Sequence, residues 1–319
     1  MTPLILARRW RWQPAGWSAG AESGVASYRR RLQICLGVLW LIDAALQLQP
    51  FMFGPFFVTQ IIQPVAAGNP AIVARSIIWA SRLMLQHEPL YNALFATIQL
   101  AIAVGILIPR TCKPALVLSL AWALSVWWFG EGLGGIFTGA SPLAGEPGGV
   151  LLYALIALLL YPARETDRSD LASPATSWPL GHVGAKLVWL TIWLNFSYFL
   201  LLPDNRSADA IAQAFSVTDG QPGWITALMD RAAALANGRG LEISIALAAL
   251  CAFAAAGVLH PRLMKPALVV AGVLSLVLWT AEGFGGALTG QGTDPNTGPL
   301  LLLLAACYWP RRRVTVIQS

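Results

Sequence analysis

The sequence predicts an all-α integral membrane protein of about eight transmembrane helices, arranged as two parallel four-helix repeats, and three observations predict it. Of 319 residues, 56% are hydrophobic and 11% charged, against about a quarter charged in an ordinary soluble domain. The phrase "WWFGEGLGGIFTG" at 127–139 returns little changed as "WTAEGFGGALTG" at 279–290. Basic residues gather at alternate turns between apolar runs and avoid the others.

Apolar runs fall at about 33–53, 91–109, 114–131, 148–162, 186–203, 240–258, 266–281 and 298–310. A hydrocarbon core of roughly 30 Å takes about 17–25 helical residues to cross, so the fourth and eighth runs are the shortest that qualify. The runs lack the polar/apolar alternation of a barrel strand, and a backbone in lipid must satisfy its own hydrogen bonds, which predicts helices. With a cytoplasmic N-terminus, sixteen Lys and Arg lie inside and five outside, at 75, 82, 206, 231 and 239. That bias fits a bacterial cytoplasmic (inner) membrane with both termini inside. It also accounts for the net charge of +6, which excludes nucleic acid as the reason for the basic balance.

Taken in order, residues 1–30 form a basic cytoplasmic tail, 31–165 a first four-helix repeat, 166–183 a polar cytoplasmic linker, 184–312 a second repeat and 313–319 a short tail. The first apolar run has no small-residue cleavage site after it and predicts a retained signal anchor. The repeat is carried by matched positions. At an offset of 152, Gly68 matches Gly220, Pro70 matches Pro222, Gly105 matches Gly257, and "KPALV" at 113 matches "KPALV" at 265. At an offset of 151, Trp128, Glu131, Gly132, Gly134, Gly135, Thr138 and Gly139 meet identical residues. Four spans per half return the chain to the same side, so the repeats are parallel and not inverted.

Each half reads as span, outer amphipathic segment, span, basic turn, span, glycine-rich outer loop, span. The turns are "PRTCKP" and "HPRLMKP". The outer segments read as pairs of short helices, the first with Asn69 as cap and Pro70 at the first helical position. They lie in the interface or cover the bundle, as a structural lid or as a gate.

The candidate binding residues are Glu131, Gly134, Gly135, Thr138, Glu282, Gly285, Gly286, Thr289, Asp43, Gln47 and Gln99. Glu131 and Glu282 sit where the third and seventh spans end, and an anion at a helix C-terminus opposes the macrodipole, so each implies a partner. Two readings stand: a capping turn in which Glu accepts bonds from its own loop, or a ligand site shared by the two loops. The glycines after each Glu can take positive φ and expose N–H groups. Asp43 is the one acid deep within an apolar run, with Gln47 a turn away on its face and Gln99 near the middle of the second span. It is either a proton or ligand group or part of an inter-helical hydrogen bond. The second half offers Asn195, Ser197, Glu242 and Ser244 in its comparable spans.

Glu146 and Asp294 extend the outer acids, but their spacing fits no ligand loop, and no metal site is expected. Cys35, Cys112, Cys251 and Cys307 show no disulfide or zinc spacing. His87, His182 and His260 map to different depths, which argues against a haem held by two histidines. No nucleophile–histidine constellation, H-E-x-x-H or P-loop is present.

The stretch "RRRLQICLGVLWLIDAALQLQPFMF", followed by an outer segment and "GILIPRTCKPAL", resembles the DoxX-like membrane proteins, once in each half over 31–165 and 184–312. These are four-helix units, some linked to quinone-dependent oxidation of sulfur compounds. The resemblance implies a quinone-associated redox component and leaves a quinone as the cofactor to look for. No catalytic residue of the family is matched here, so thiosulfate oxidation does not carry over, and the doubled EGxGG loop lies outside the family pattern. Two other classes stand beside it: a binder or transporter of a small solute or lipid at the repeat interface, and a non-catalytic membrane assembly factor. The partners expected are the lipid bilayer and, within it, a quinone or a membrane protein.

Overall fold

A computed structural model describes residues 24–162, 171–176, 179–215 and 220–312. Most of the expected N-terminal tail, much of the linker and the tail at 313–319 lie outside them. The described residues are overwhelmingly helical. In chain order the helices are α1 Gly24–Leu46, α2 Ala71–Met84, α3 Glu88–Leu107, α4 Cys112–Phe129, α5 Gly149–Leu159, α6 Gly181–Leu200, α7 Ala210–Ala214, α8 Gly223–Ala236, α9 Gly240–Gly257, α10 Met264–Ala281 and α11 Thr297–Tyr308. Five of them, α3, α4, α6, α9 and α10, are long and apolar enough to cross a membrane. A two-residue antiparallel bridge joins Leu171–Ala172 to Arg311–Arg312, tying the segment before α6 to the end of α11.

α1 departs from the expected run at 33–53, starting at Gly24 and stopping at Leu46. Its arginines are accommodated because Arg30 donates to the carbonyls of Ile106 and Leu107, at 2.8 and 2.5 Å, where α3 ends and its C=O groups lack partners. Its end is set by Pro50, which holds Gln49 extended at φ −67°, ψ 147°. Turns of 3-10 and π type then occupy 50–66 before α2.

α2 carries the expected amphipathic pattern, burying Val73, Ile77, Ser81 and Met84. Its cap differs from expectation. Pro70 is itself the N-cap, its carbonyl accepting from Val73 and Ala74, and the Asn69 amide donates backwards to the Val65 carbonyl at 2.7 Å. A residue preceding proline is pushed out of the helical region and its side chain turns to the preceding segment instead.

In the first half α3 packs on α1 and α4, and α4 on α5; in the second α9 packs on α6 and α10, and α10 on α11. Small residues allow the closest crossings. A Cβ on Gly105 would lie 2.7 Å from the Cβ of Ala115, and one on Gly257 would lie 2.5 Å from that of Ala267. Both approaches follow the basic turns and bring backbones together as small-residue pairs do.

α5 and α11 pack against each other, most of their residues are buried and none is exposed. Eleven residues in α5 rise about 16 Å, against about 30 Å for the twenty of α3. The glycine-rich loops fill the remaining length above the two short helices. Outward, the long helices expose Leu100, Val104, Val117, Leu194, Val269 and Val273, an apolar surface unlike that of a water-facing helix.

Candidate functional site

Glu131 follows α4 and Glu282 closes α10, and each faces the N-terminus of the next helix. Glu131 Oε1 accepts from the Val150 N–H at 3.2 Å, and Glu282 Oε2 from the Thr297 N–H at 3.1 Å. An acid that opposes the dipole of the helix it ends thus meets the favourable end of the helix that follows. Trp127 and Trp279 sit one turn earlier, and their indole N–H groups donate to the carbonyls of Pro147 and Pro295, both at 2.8 Å. The repeated phrase therefore ties each long helix to the loop leading into its short neighbour.

The glycines make this closure sterically possible. Residues 132–135 and 283–286 all have positive φ, including the non-glycine Leu133 at 62° and Phe284 at 56°. Left-handed backbone costs about 1–2 kcal/mol for a residue with a Cβ, so the packing around each loop must hold it. At Gly134 a Cβ would overlap the Pro147 carbonyl, and at Gly285 it would lie 2.8 Å from the Asp294 carbonyl oxygen.

A cavity of about 820 Å³ lies between these loops and helices α1 to α5. Of the residues expected from the sequence, Asp43, Gln47, Gln99, Glu131, Gly134, Gly135, Thr138 and Gly285 line it. Glu282, Gly286 and Thr289 do not: Glu282 is engaged with α11, and the Thr289 hydroxyl closes its own turn on the Gly286 carbonyl at 2.7 Å. Glu146 and Asp294 also line the cavity, so four carboxyl groups border one space. Aromatic rings also line it, among them Tyr91, Phe95 and Trp122.

Asp43 lies near the end of α1, in electrostatic reach of Asp294 and Glu131 and thus part of the same acid group. It is 1% exposed, and Tyr153 of α5 donates to its Oδ1 at 2.8 Å while stacking on Trp40 with ring centres 4.2 Å apart. Gln47 and Asn92 are joined side chain to side chain, and the Asn92 amide also donates to the Gln47 carbonyl at 2.9 Å. Gln99 is 8% exposed and its Oε1 has no hydrogen-bond partner.

Sequence reading missed two partners. Glu146 is 1% exposed, and the Asn195 amide, oriented by its surroundings, donates to both of its oxygens, at 2.8 and 3.1 Å. Thr297 donates its hydroxyl to Glu282 Oε1. The signal for the first was present: Asn195 lies 152 residues after Asp43, the offset of the repeat.

Burial governs the charge state of the loop acids. It pushes Glu146 to about 8, and it takes Glu282 to about 8 against the pull of the Thr297 hydroxyl and N–H. Glu131 is raised well above the ordinary range by burial and then by the Asp294 charge, with the Val150 and Gly149 N–H groups opposing. Asp294 is raised by burial although the Asn296 N–H and Thr293 hydroxyl favour its ionised form. Among the described residues no three His, Cys, Asp or Glu side chains come together as a metal-ligand set.

The sequence matches no protein-family model, and comparison with curated proteins and with solved structures finds no match.

Proposed function

We propose that this chain is an integral inner-membrane protein of two parallel four-helix repeats, with both termini cytoplasmic, that binds a membrane-soluble amphiphilic molecule in its first repeat. The observation that carries the reading is the cavity of about 820 Å³, lined largely by apolar and aromatic residues and by four carboxyl groups. Sites for small molecules are commonly of about 300–1,000 Å³, mostly apolar, with a few polar groups that fix orientation. The exposed apolar faces of the long helices support a lipid environment, and α2 covers the cavity with Trp79, Ala80 and Leu83 in its wall.

The test is native mass spectrometry and lipid extraction of the protein purified in mild detergent. Wild type should carry a stoichiometric small amphiphile, and Ala80→Trp, which fills the cavity from α2, should lose it while keeping its helical content. Wild type empty of any such molecule, with binding absent on reconstitution, overturns the reading.

A quinone is the second reading. It follows from the DoxX-like resemblance and from acids such as Glu146, pushed to about 8 and so able to supply protons to a reduced headgroup. A quinone in the same extract, reducible in the bound state, would select it.

A further inference from the structure

Around the cavity the buried acceptors without a partner, Asn69 Oδ1, Gln99 Oε1 and Glu131 Oε2, outnumber the one such donor, the Trp122 indole N–H, and the shortfall at Glu131 arises where the two halves differ. In the second half, Glu282 receives the Thr297 N–H and hydroxyl. In the first half, Gly149 occupies the place of Thr297 and brings no hydroxyl. Glu131 Oε2 is consequently buried with no partner. From the second half, the Asn195 amide nitrogen donates to Glu146, within reach of both of its oxygens. At the matching position of the first half stands Asp43, which has no hydrogen to give when ionised and is met by Tyr153 at one oxygen only.

Gln99 is an independent observation of the same kind. It lies on a different helix, is more than nine-tenths buried, lines the cavity, and its carbonyl oxygen has no partner. A buried acceptor left unmet is costly. A ligand that brings N–H or O–H groups would remove that cost. Charge narrows the choice, because four lining residues are acids and, among the described residues, none is Lys, Arg or His. An anionic head would find no cation to neutralise it, whereas a cationic head favours the ionised form of the buried acids beside it.

We propose that this end of the cavity receives the ammonium head of an amphiphilic amine, held by Asp43, Gln99, Glu131 and Asp294, with its apolar body along the aromatic wall. This rests on the reading of the cavity as an amphiphile site. A primary ammonium carries three N–H donors and a full charge, and hydrogen bonds to ionised groups are roughly twice as strong as neutral ones. Aromatic rings such as Trp122 and Phe95 add attraction for a cation that passes over their faces.

The experiment uses the full chain in phosphatidylcholine nanodiscs and three probes that share one tail: decylamine, decanol and decanoate. Binding is followed by native mass spectrometry and by the fluorescence of the protein's 14 tryptophans. Decylamine should bind at least ~10-fold more tightly than decanol, and decanoate should not bind. Two variants test the head site while sparing the fold. Gly149→Thr supplies the missing hydroxyl in a place where a Cβ makes only ordinary contacts, at 3.4 Å and beyond. Gln99→Leu replaces an unmet amide by an apolar group. Each should lower decylamine affinity about 10-fold and decanol affinity by less, so that the preference for the amine over the alcohol shrinks. Equal binding of decylamine and decanol, a preference for decanoate, or unchanged decylamine binding in both variants overturns the amine assignment alone. Failure of all three probes to bind overturns the amphiphile reading with it.

Discussion

The loop after α4 and the loop after α10 have the same frame and different contents. Both run through four consecutive positive-φ residues, both place a glutamate on the N-terminus of the next helix, and both receive a tryptophan N–H on a proline carbonyl. In the loop after α10 the glutamate is fully met by Thr297. In the loop after α4 the same carboxylate keeps one oxygen without a partner, beside a cavity. The comparison teaches that the frame is a structural device and that its polar contents decide whether a site is left over. The same contrast recurs between Asn195, which completes Glu146, and Asp43, which adds a further acid.

The largest expected effect comes from removing the two glutamates. Glu282→Ala strips the partner from the Thr297 N–H and hydroxyl at a buried helix start, and should cost about 3 kcal/mol by denaturation in detergent. Glu131→Ala removes fewer satisfied bonds and relieves an unmet oxygen, and should cost about 1 kcal/mol. Equal losses would break the comparison, since they would mean that Glu131 is as fully engaged as Glu282.

Next in size is the pH dependence. Glu146 and Glu282 both have an ordinary value of 4.5 and are pushed by burial to about 8 in the fold. Between those values the native state holds more protons than the unfolded chain, so stability is highest on the acid side and falls as the pH rises through 8. Thermal unfolding followed by tryptophan fluorescence should show a melting temperature at least ~4 °C lower at pH 9 than at pH 5. Glu146→Gln, which can still pair amide to amide with Asn195, should make that drop smaller, with Glu282, Glu131 and Asp294 supplying the rest. A profile that rises with pH would contradict the burial of these acids.

Much of this was legible in the sequence, for identifiable reasons. Apolar runs located eight of the helices because burial and length leave few alternatives, and the helix macrodipole required a partner for Glu131 and Glu282 before one was seen. The start of the first run was misplaced because Arg29 to Arg31 read as a boundary, while Arg30 in fact caps the end of α3, a neighbour that only the fold supplies. The candidate residues Asp43, Gln47 and Gln99 meet at one cavity wall, yet nothing in a single chain reveals that the Gln99 carbonyl lacks a partner. Thr297 was passed over because the offset between the halves shifts from 151 at Glu131 to 148 at Glu146, so Gly149 and Thr297 do not align by simple counting.

The smallest effect is the sharpest probe of the comparison. Gly149→Thr should raise stability by about 1 kcal/mol, partly because a glycine replaced at a compatible backbone conformation loses less entropy on folding, and partly because the new hydroxyl can meet Glu131. Thr297→Gly should lower stability by a similar amount, leaving Glu282 with an unmet oxygen as Glu131 has now. Chemical denaturation of the two single variants and of the double variant separates the terms. If the loops are interchangeable frames, the two changes act independently and their effects sum close to zero. If Gly149→Thr destabilises instead, the space beside Glu131 is occupied by packing that the loop after α10 lacks, and the difference between the loops lies in their walls and not in their donors.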